Sequence, residues 1–255
     1  MIEADWIWGL IGGLLIGCGG AVYLLGNGRI MGASGIVGGL VDGSGRSTWV
    51  ERISFLAALI LIPAAIAALA PTPATTHLTE NLWLVGVAGL LVGLGTRIGN
   101  GCTSGAALSE GFEMRNMIAA LAGALFGTGL YLSGMTDTQK VQGFLDFFGS
   151  WDPTLAFVMG GAILPMAVAW AMTRTRRPVT GGDFPARPDA RLDRKLIIGA
   201  VLFGAGWGLV GLCPGPALAS LGFGGLGGII FLIAMLAGMM IAPKARLILD
   251  TPRTA

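Results

Sequence analysis

Between Lys195 and Lys244 the chain runs for 48 residues without a formal charge. A helix needs about 20 apolar residues to cross the hydrocarbon core of a bilayer. The interval therefore holds two passes, broken near its middle by Leu212-Cys213-Pro214-Gly215-Pro216. Shorter uncharged intervals precede it: 23 residues between Asp5 and Arg29, 27 between Arg52 and Glu80, and 16 between Glu80 and Arg97. Two more run from Arg115 to Asp137 and from Asp152 to Arg174. Together they predict seven membrane spans, near 6–25, 53–70, 82–98, 117–135, 153–173, 196–212 and 227–242. Composition excludes the other classes. Only 12% of residues are charged, against about a quarter in soluble domains, which is too few to cover a soluble surface of this size. The 44 glycines follow no collagen-like period and instead suit close helix contacts in a membrane. A net charge of +2 gives no sign of a nucleic-acid partner. The expected class is an all-α polytopic membrane protein, a single transmembrane domain within 1–255 that ends in a tail over 243–255.

Lys and Arg in short loops set orientation, since they stay on the cytoplasmic side. The stretch 174–195 carries Arg174, Arg176, Arg177, Arg187, Arg191, Arg194 and Lys195. Alternating the spans outward from it puts Arg29, Arg46, Arg52, Arg97, Arg115, Lys244, Arg246 and Arg253 on the same side, with Lys140 the one exception. The N-terminus, with Glu3 and Asp5, is then expected outside and the C-terminal tail in the cytoplasm, in a bacterial inner membrane. The N-terminus has neither the basic n-region nor the A-x-A site of a cleaved signal peptide.

The chain resembles itself. Gly93-Leu-Gly95-Thr-Arg-Ile-Gly-Asn-Gly-Cys102 aligns without gaps on Gly204-Ala-Gly206-Trp-Gly-Leu-Val-Gly-Leu-Cys213, at an offset of 111 residues. Ala106, Ser109, Gly111 and Phe112 then fall on Ala217, Ser220, Gly222 and Phe223. A weaker copy begins at Leu14 and carries Gly17-Cys18-Gly19. By the expected topology the span before Cys102 runs inward and the span before Cys213 runs outward. The repeats are therefore expected to be inverted, in halves of roughly 1–135 and 136–242. Inverted repeats with broken helices are an architecture of transport proteins, with the binding site at the repeat interface.

Short re-entrant half-helices are expected after each break. Thr103-Ser104-Gly105 offers capping groups before Ala106, and Gly215 follows a Pro suited to a first helical turn. Ser34-Gly35 before Ile36 would begin a third. A half-helix that points its N-terminus inward presents free N–H groups and partial positive charge. That suits an anion. Three cysteines with no C-x-x-C pair argue against a zinc site, and no metal or other cofactor is expected. A cysteine in a membrane helix is often a small apolar filler. The functional alternative is that Cys18, Cys102 and Cys213 line one path for a sulfur-bearing solute. His77 reads as a solvated loop residue with no carboxylate partner in its own segment. Arg97 reads as an interfacial side chain reaching for water. Trp6, Trp8, Trp49, Trp83 and Trp151 read as interface anchors, and Trp207 as packing.

Gly99-Asn-Gly-Cys102-Thr-Ser-Gly105 with Gly111-Phe112, and Gly211-Leu-Cys213-Pro-Gly-Pro216, resemble motifs of the YeeE/YedE family of bacterial sulfur transporters. Gly28-Arg29-Ile-Met-Gly32-Ala-Ser-Gly35-Ile36 resembles that family's amino-terminal motif, and Gly143–Pro153 a segment of its smaller, split members. The resemblance implies thiosulfate uptake by an hourglass-shaped protein in which Cys18, Cys102 and Cys213 pass the ion inward through transient S–H···S contacts. It also implies that any cytoplasmic sulfur-carrier acceptor is a separate protein. The expected function is a permease rather than an enzyme, and with no nucleotide-binding motif the chain is not expected to hydrolyse ATP itself. Two other readings remain open at this point: a membrane sulfurtransferase forming a Cys persulfide, and a passive channel for a small neutral solute.

Overall fold

Long apolar runs without charges favour helices, because in lipid each backbone polar group must be satisfied within its own segment. The computed structural model describes residues 3–71, 74–99, 112–185 and 192–250. The described residues are 75% helical, and no strand occurs among them. Seven long helices lie where the charge-free runs place them. They are α1 (Ala4–Asn27), α3 (Trp49–Leu69), α4 (Leu82–Gly99), α5 (Phe112–Leu132), α7 (Thr154–Met172), α8 (Arg194–Val210) and α10 (Gly225–Asp250). Among the described residues three shorter α-helices lie between them, α2 (Ala33–Val41), α6 (Thr138–Leu145) and α9 (Pro214–Ala219), with a 3-10 turn over Arg46–Thr48 before α3.

Five helices are long and apolar enough to cross a membrane: α1, the stretch Arg46–Leu69 that contains α3, α4, α7, and α10 over Gly225–Leu247. The other two fall short of the seven expected for plain reasons. α8 has only 17 residues, and α5 opens with Glu113 and Arg115 in its first turn. The chain is thus a multi-pass helical membrane protein with five clear spans.

Glycine contacts reveal which helices run together. Cβ atoms built on Gly13 and Gly17 of α1 would strike the carbonyls of Val158 and Ala162 in α7, so these two helices run parallel. Gly12 and Gly19 meet the carbonyls of Gly129 and Ala122 of α5, which is antiparallel to α1. Gly123 and Gly127 of α5 sit against Phe55 and Leu59 of α3, in parallel. In the second group, Gly89 and Gly93 of α4 lie on Phe231 and Met235 of α10, in parallel. Gly95 and Gly206 pair α4 with α8, in antiparallel.

The two groups share a pattern. α5 is packed by α1 and α3, the helices that flank α2; α4 is packed by α8 and α10, the helices that flank α9. The short helices cross over: α2 touches α4 and α10, while α9 touches α5 and α3, and the two meet each other. Exchanging α1 with α8, α2 with α9, α3 with α10 and α5 with α4 leaves these contacts in place. Among the described helices α7, packed on α1, and the short α6, packed on α7 and α8, stand outside the exchange.

The expected outer end is tied by polar contacts. Lys140, the exception in the charge count, pairs with Asp5 at 3.0 Å. His77 gains a partner that its own segment lacks: its Nδ1 lies 2.9 Å from Asp137 Oδ2, and Asp137 also caps α6 by accepting from Gln139 N–H. At the opposite end the segment after α7 turns back under α1. Val179 N–H donates to the Leu25 carbonyl, and Thr180 N–H to that of Gly26, each at 3.0 Å. These bonds occupy helix-terminal carbonyls that otherwise lack partners.

Candidate transport path

α9 begins at Cys213, which occupies its N-cap in an extended conformation (φ −119°, ψ 168°), with Pro214 at the first helical position. The preceding α8 stops at Gly211 in the left-handed region, φ 70°, its N–H donating to the Trp207 carbonyl. A residue with a side chain is strained there, so the break before Cys213 is built into the backbone. Every residue of α9 is buried, while Cys213 itself is partly accessible. Gly215 does not face open space: a Cβ there would sit 3.0 Å from the Phe126 ring of α5.

Among the described residues, α2 meets fewer atoms at its N-terminus than α9 does. No atom of those residues comes within 4 Å of a Cβ built on Gly32 or Gly35, and Ser34 between them is half-buried. Its far side is crowded. A Cβ on Gly38 would strike the Arg97 side chain, and one on Gly39 the Arg52 guanidinium.

Cys18 lies on α1 and is exposed, on the strip shared with Ile11 and Leu14 that neither α5 nor α7 covers. α1 packs on α5 and α7, whereas α9 packs on α2, α3, α5 and α10, so α5 is the neighbour they share. Cys102, Thr103, Ser104 and Gly105 lie outside the described residues. Among the described residues no three His, Cys, Asp or Glu side chains cluster as metal ligands.

The charged side chains around α2 carry more structure than their spacing suggests. Arg97 is not an interfacial side chain reaching for water. It is buried at 7% exposure and ion-paired with Asp42, the residue that caps α2. Glu51, at 3% exposure, accepts from the Asn27 amide at 3.0 Å and from the Tyr23 hydroxyl, with Arg29 4.0 Å away. Asn27 also donates to the Arg115 carbonyl at 2.9 Å, and Arg115 Nη2 to the Thr180 carbonyl at 3.4 Å. Asn27, Glu51 and Asp42 are polar partners in the fold that spacing alone passes over. The available signals were the Glu51-Arg52 pair in the first turn of an otherwise uncharged span, and Gly38-Gly39 facing the arginines.

Most of the tryptophans match their expected places. Trp8, Trp49, Trp83 and Trp151 are exposed, and Trp207 stacks on Phe203 with ring centres 6.5 Å apart.

The chain has relatives. A probable transporter of Xylella fastidiosa strain Temecula1 is 42% identical over 130 residues, half of this chain and 88% of its own length. A second probable transporter of that strain is 39% identical over 102 residues, 40% of this chain and 73% of its own. One from strain 9a5c is 35% identical over 132 residues, 52% of this chain and 92% of its own. No solved structure matches the chain. Residues 114–248, just over half of the sequence and everything from the first turn of α5 through most of α10, match the model of a family of unknown function, DUF6691. The protein belongs to that DUF6691 family.

Proposed function

We propose that this protein is a permease of the bacterial inner membrane that takes up thiosulfate or a related sulfur-containing anion. The observation that carries the proposal is the helix break at Cys213, a partly accessible thiol capping a buried half-helix, in a chain whose relatives are named probable transporters. In this reading Cys18, Cys102 and Cys213 guide the terminal sulfur of the anion. Ser34, Gly35, Thr103, Ser104, Gly105 and Gly215 contribute backbone and hydroxyl groups at the half-helix termini. A thiol is a weak donor and a soft acceptor, which matches a terminal sulfur better than a hard oxyanion.

The exchangeable packing of α1–α2–α3 with α5 and of α8–α9–α10 with α4 supports an inverted repeat. It pairs α9 with α2, the short helix after Cys18, in addition to the sequence likeness between the Cys102 and Cys213 segments. The N-terminus lies outside and the C-terminal tail in the cytoplasm, where a separate sulfur-carrier protein receives the product. The protein moves its substrate without transforming it.

Uptake of sulfur-labelled thiosulfate by transport-deficient cells expressing this chain tests the proposal. Wild-type cells are expected to accumulate label, and Cys213→Ala to cut the rate at least about tenfold, with Cys102→Ala and Cys18→Ala also impaired. Unchanged uptake in all three variants would remove the thiol path. No uptake by well-expressed wild type would remove thiosulfate as the substrate.

A further inference from the structure

The segment that carries Cys213 and α9 leaves α8 at Gly211 and enters α10 at Gly225, and other elements hold both of its ends. At its entry, a Cβ on Gly211 would lie 2.8 Å from the Thr138 carbonyl of α6 and 3.2 Å from the Gln142 side chain. At its exit, the Gly224 carbonyl accepts from Thr76 Oγ1 at 3.4 Å. Thr76 belongs to an irregular strap, residues 74–81, that leads into α4. Leu78 of the same strap lies 3.3 Å from a Cβ on Gly227, in the first turn of α10.

His77 joins the two holds. Its carbonyl accepts from Thr138 Oγ1 at 2.7 Å, and its ring Nδ1 donates to Asp137 Oδ2 at 2.9 Å. Its backbone N–H reaches the other oxygen of that carboxylate at 3.4 Å. Asp137 is the N-cap of α6 and Thr138 its first residue. A chain of contacts therefore runs from Gly211 through Thr138, His77 and Thr76 to Gly224, and spans the Cys213 segment from end to end.

The two sides of this clasp are held unequally. α6 is a fixed post: it packs on α7 and α8, and its Lys140 pairs with Asp5 of α1 at 3.0 Å. The strap has neither helix nor strand to order its backbone. Its ring contact to α6 is open to water, with the His77 and Asp137 side chains 48% and 22% exposed. Exposed pairs of this kind are weak, because solvent competes for both partners. Segments with few buried contacts open before the rest of a fold does. α9 beneath the clasp, by contrast, is buried throughout.

We infer that His77 and Asp137 form a latch: closed, it holds the strap 74–81 against α6 across the Cys213 segment, and its release uncovers the Cys213 thiol at the helix break. The inference rests on the transport reading above and adds to it the conformational step that admits a solute to Cys213. Loops that close over a site gate access in this way.

The test is thiol labelling of the detergent-solubilised Cys18→Ala/Cys102→Ala protein, in which Cys213 is the one remaining cysteine. The probe is a bulky polar maleimide. His77→Ala and Asp137→Asn are each expected to raise the labelling rate about fivefold or more, since the population of the open strap sets that rate. Asparagine still caps a helix, so Asp137→Asn reads the latch rather than the start of α6. Unchanged labelling in both variants overturns the inference. So does an equal rise at a cysteine placed at Ala169, buried in α7, in the Cys213→Ala background, because the opening would then be general. If Asp137→Asn does not fold, the half-exposed His77→Ala decides alone by the same two readings. Labelling needs no substrate, so an absence of thiosulfate uptake would fault the transport reading and leave this result standing.

Discussion

Asp42→Ala is expected to lower the melting temperature of the detergent-solubilised protein sharply, corresponding to about 3–5 kcal/mol of lost stability. Asp42 is the partner of Arg97, and the two side chains are only 13% and 9% exposed. Removing the carboxylate leaves a buried guanidinium with no counter-charge, pressed on Gly38 with little space to retreat. The cost is therefore the penalty of the stranded charge rather than the value of the pair. Arg97→Leu in the Asp42→Ala background tests this directly. With the cation gone as well, most of the loss should be recovered, because replacing both members of a buried pair by apolar groups is often close to neutral. A double variant as unstable as Asp42→Ala would show that the carboxylate matters for α2 in some other way. The same pair ties α2 to α4, so the single variant is also expected to lose uptake.

Gly93→Val is expected to abolish folded, monodisperse protein. A Cβ at Gly93 would overlap the Met235 backbone carbonyl, and two backbones cannot part there without separating α4 from α10 along their length. Overpacking inside a tight core costs about 1–3 kcal/mol, and more where rigid backbone blocks relaxation. Gly208→Ala is the matched control. Among the described residues no atom lies within 4 Å of a Cβ at Gly208, which is exposed on α8. Alanine there should keep the melting temperature or raise it slightly, as helix propensity favours it over glycine by about 1 kcal/mol. Size-exclusion profiles and melting curves of both variants read the contrast. Equal behaviour would mean that the α4–α10 seam is not a close backbone contact.

Helix positions were legible because charge is costly in hydrocarbon, so uncharged runs and spans coincide. Six of the seven expected spans end within a few residues of an observed helix end; α10 runs further, to Asp250. α6 was invisible to that reasoning. It lies outside the apolar runs and is held by an Asp137 cap and the Lys140–Asp5 pair, which are local and long-range polar contacts respectively. Arg97 was misplaced because its neighbours in sequence are apolar and its partner Asp42 is 55 positions away across the fold. A charge near a span end looks the same in one dimension whether it reaches water or a carboxylate. The Cys213 break was legible through its prolines and glycines. That Gly32 and Gly35 meet no described residue was not, since a glycine in sequence looks the same whether or not a neighbouring helix faces it. The crossed packing of α2 and α9 depends on pairings between distant segments, which local pattern cannot encode.

The glycines of α1 that face α7 recur every fourth residue, at 9, 13 and 17. A slip of one helical turn, about 5.4 Å, would present a glycine to α7 again, so the middle of this seam permits sliding. What fixes the register sits at the two ends. At one, Trp6 stacks on Phe157 with ring centres 5.4 Å apart; at the other, Val179 and Thr180 bond to the last carbonyls of α1. The pair behaves as a rail with a stop at each end, and its alignment is decided by a few contacts rather than by the long surface between them.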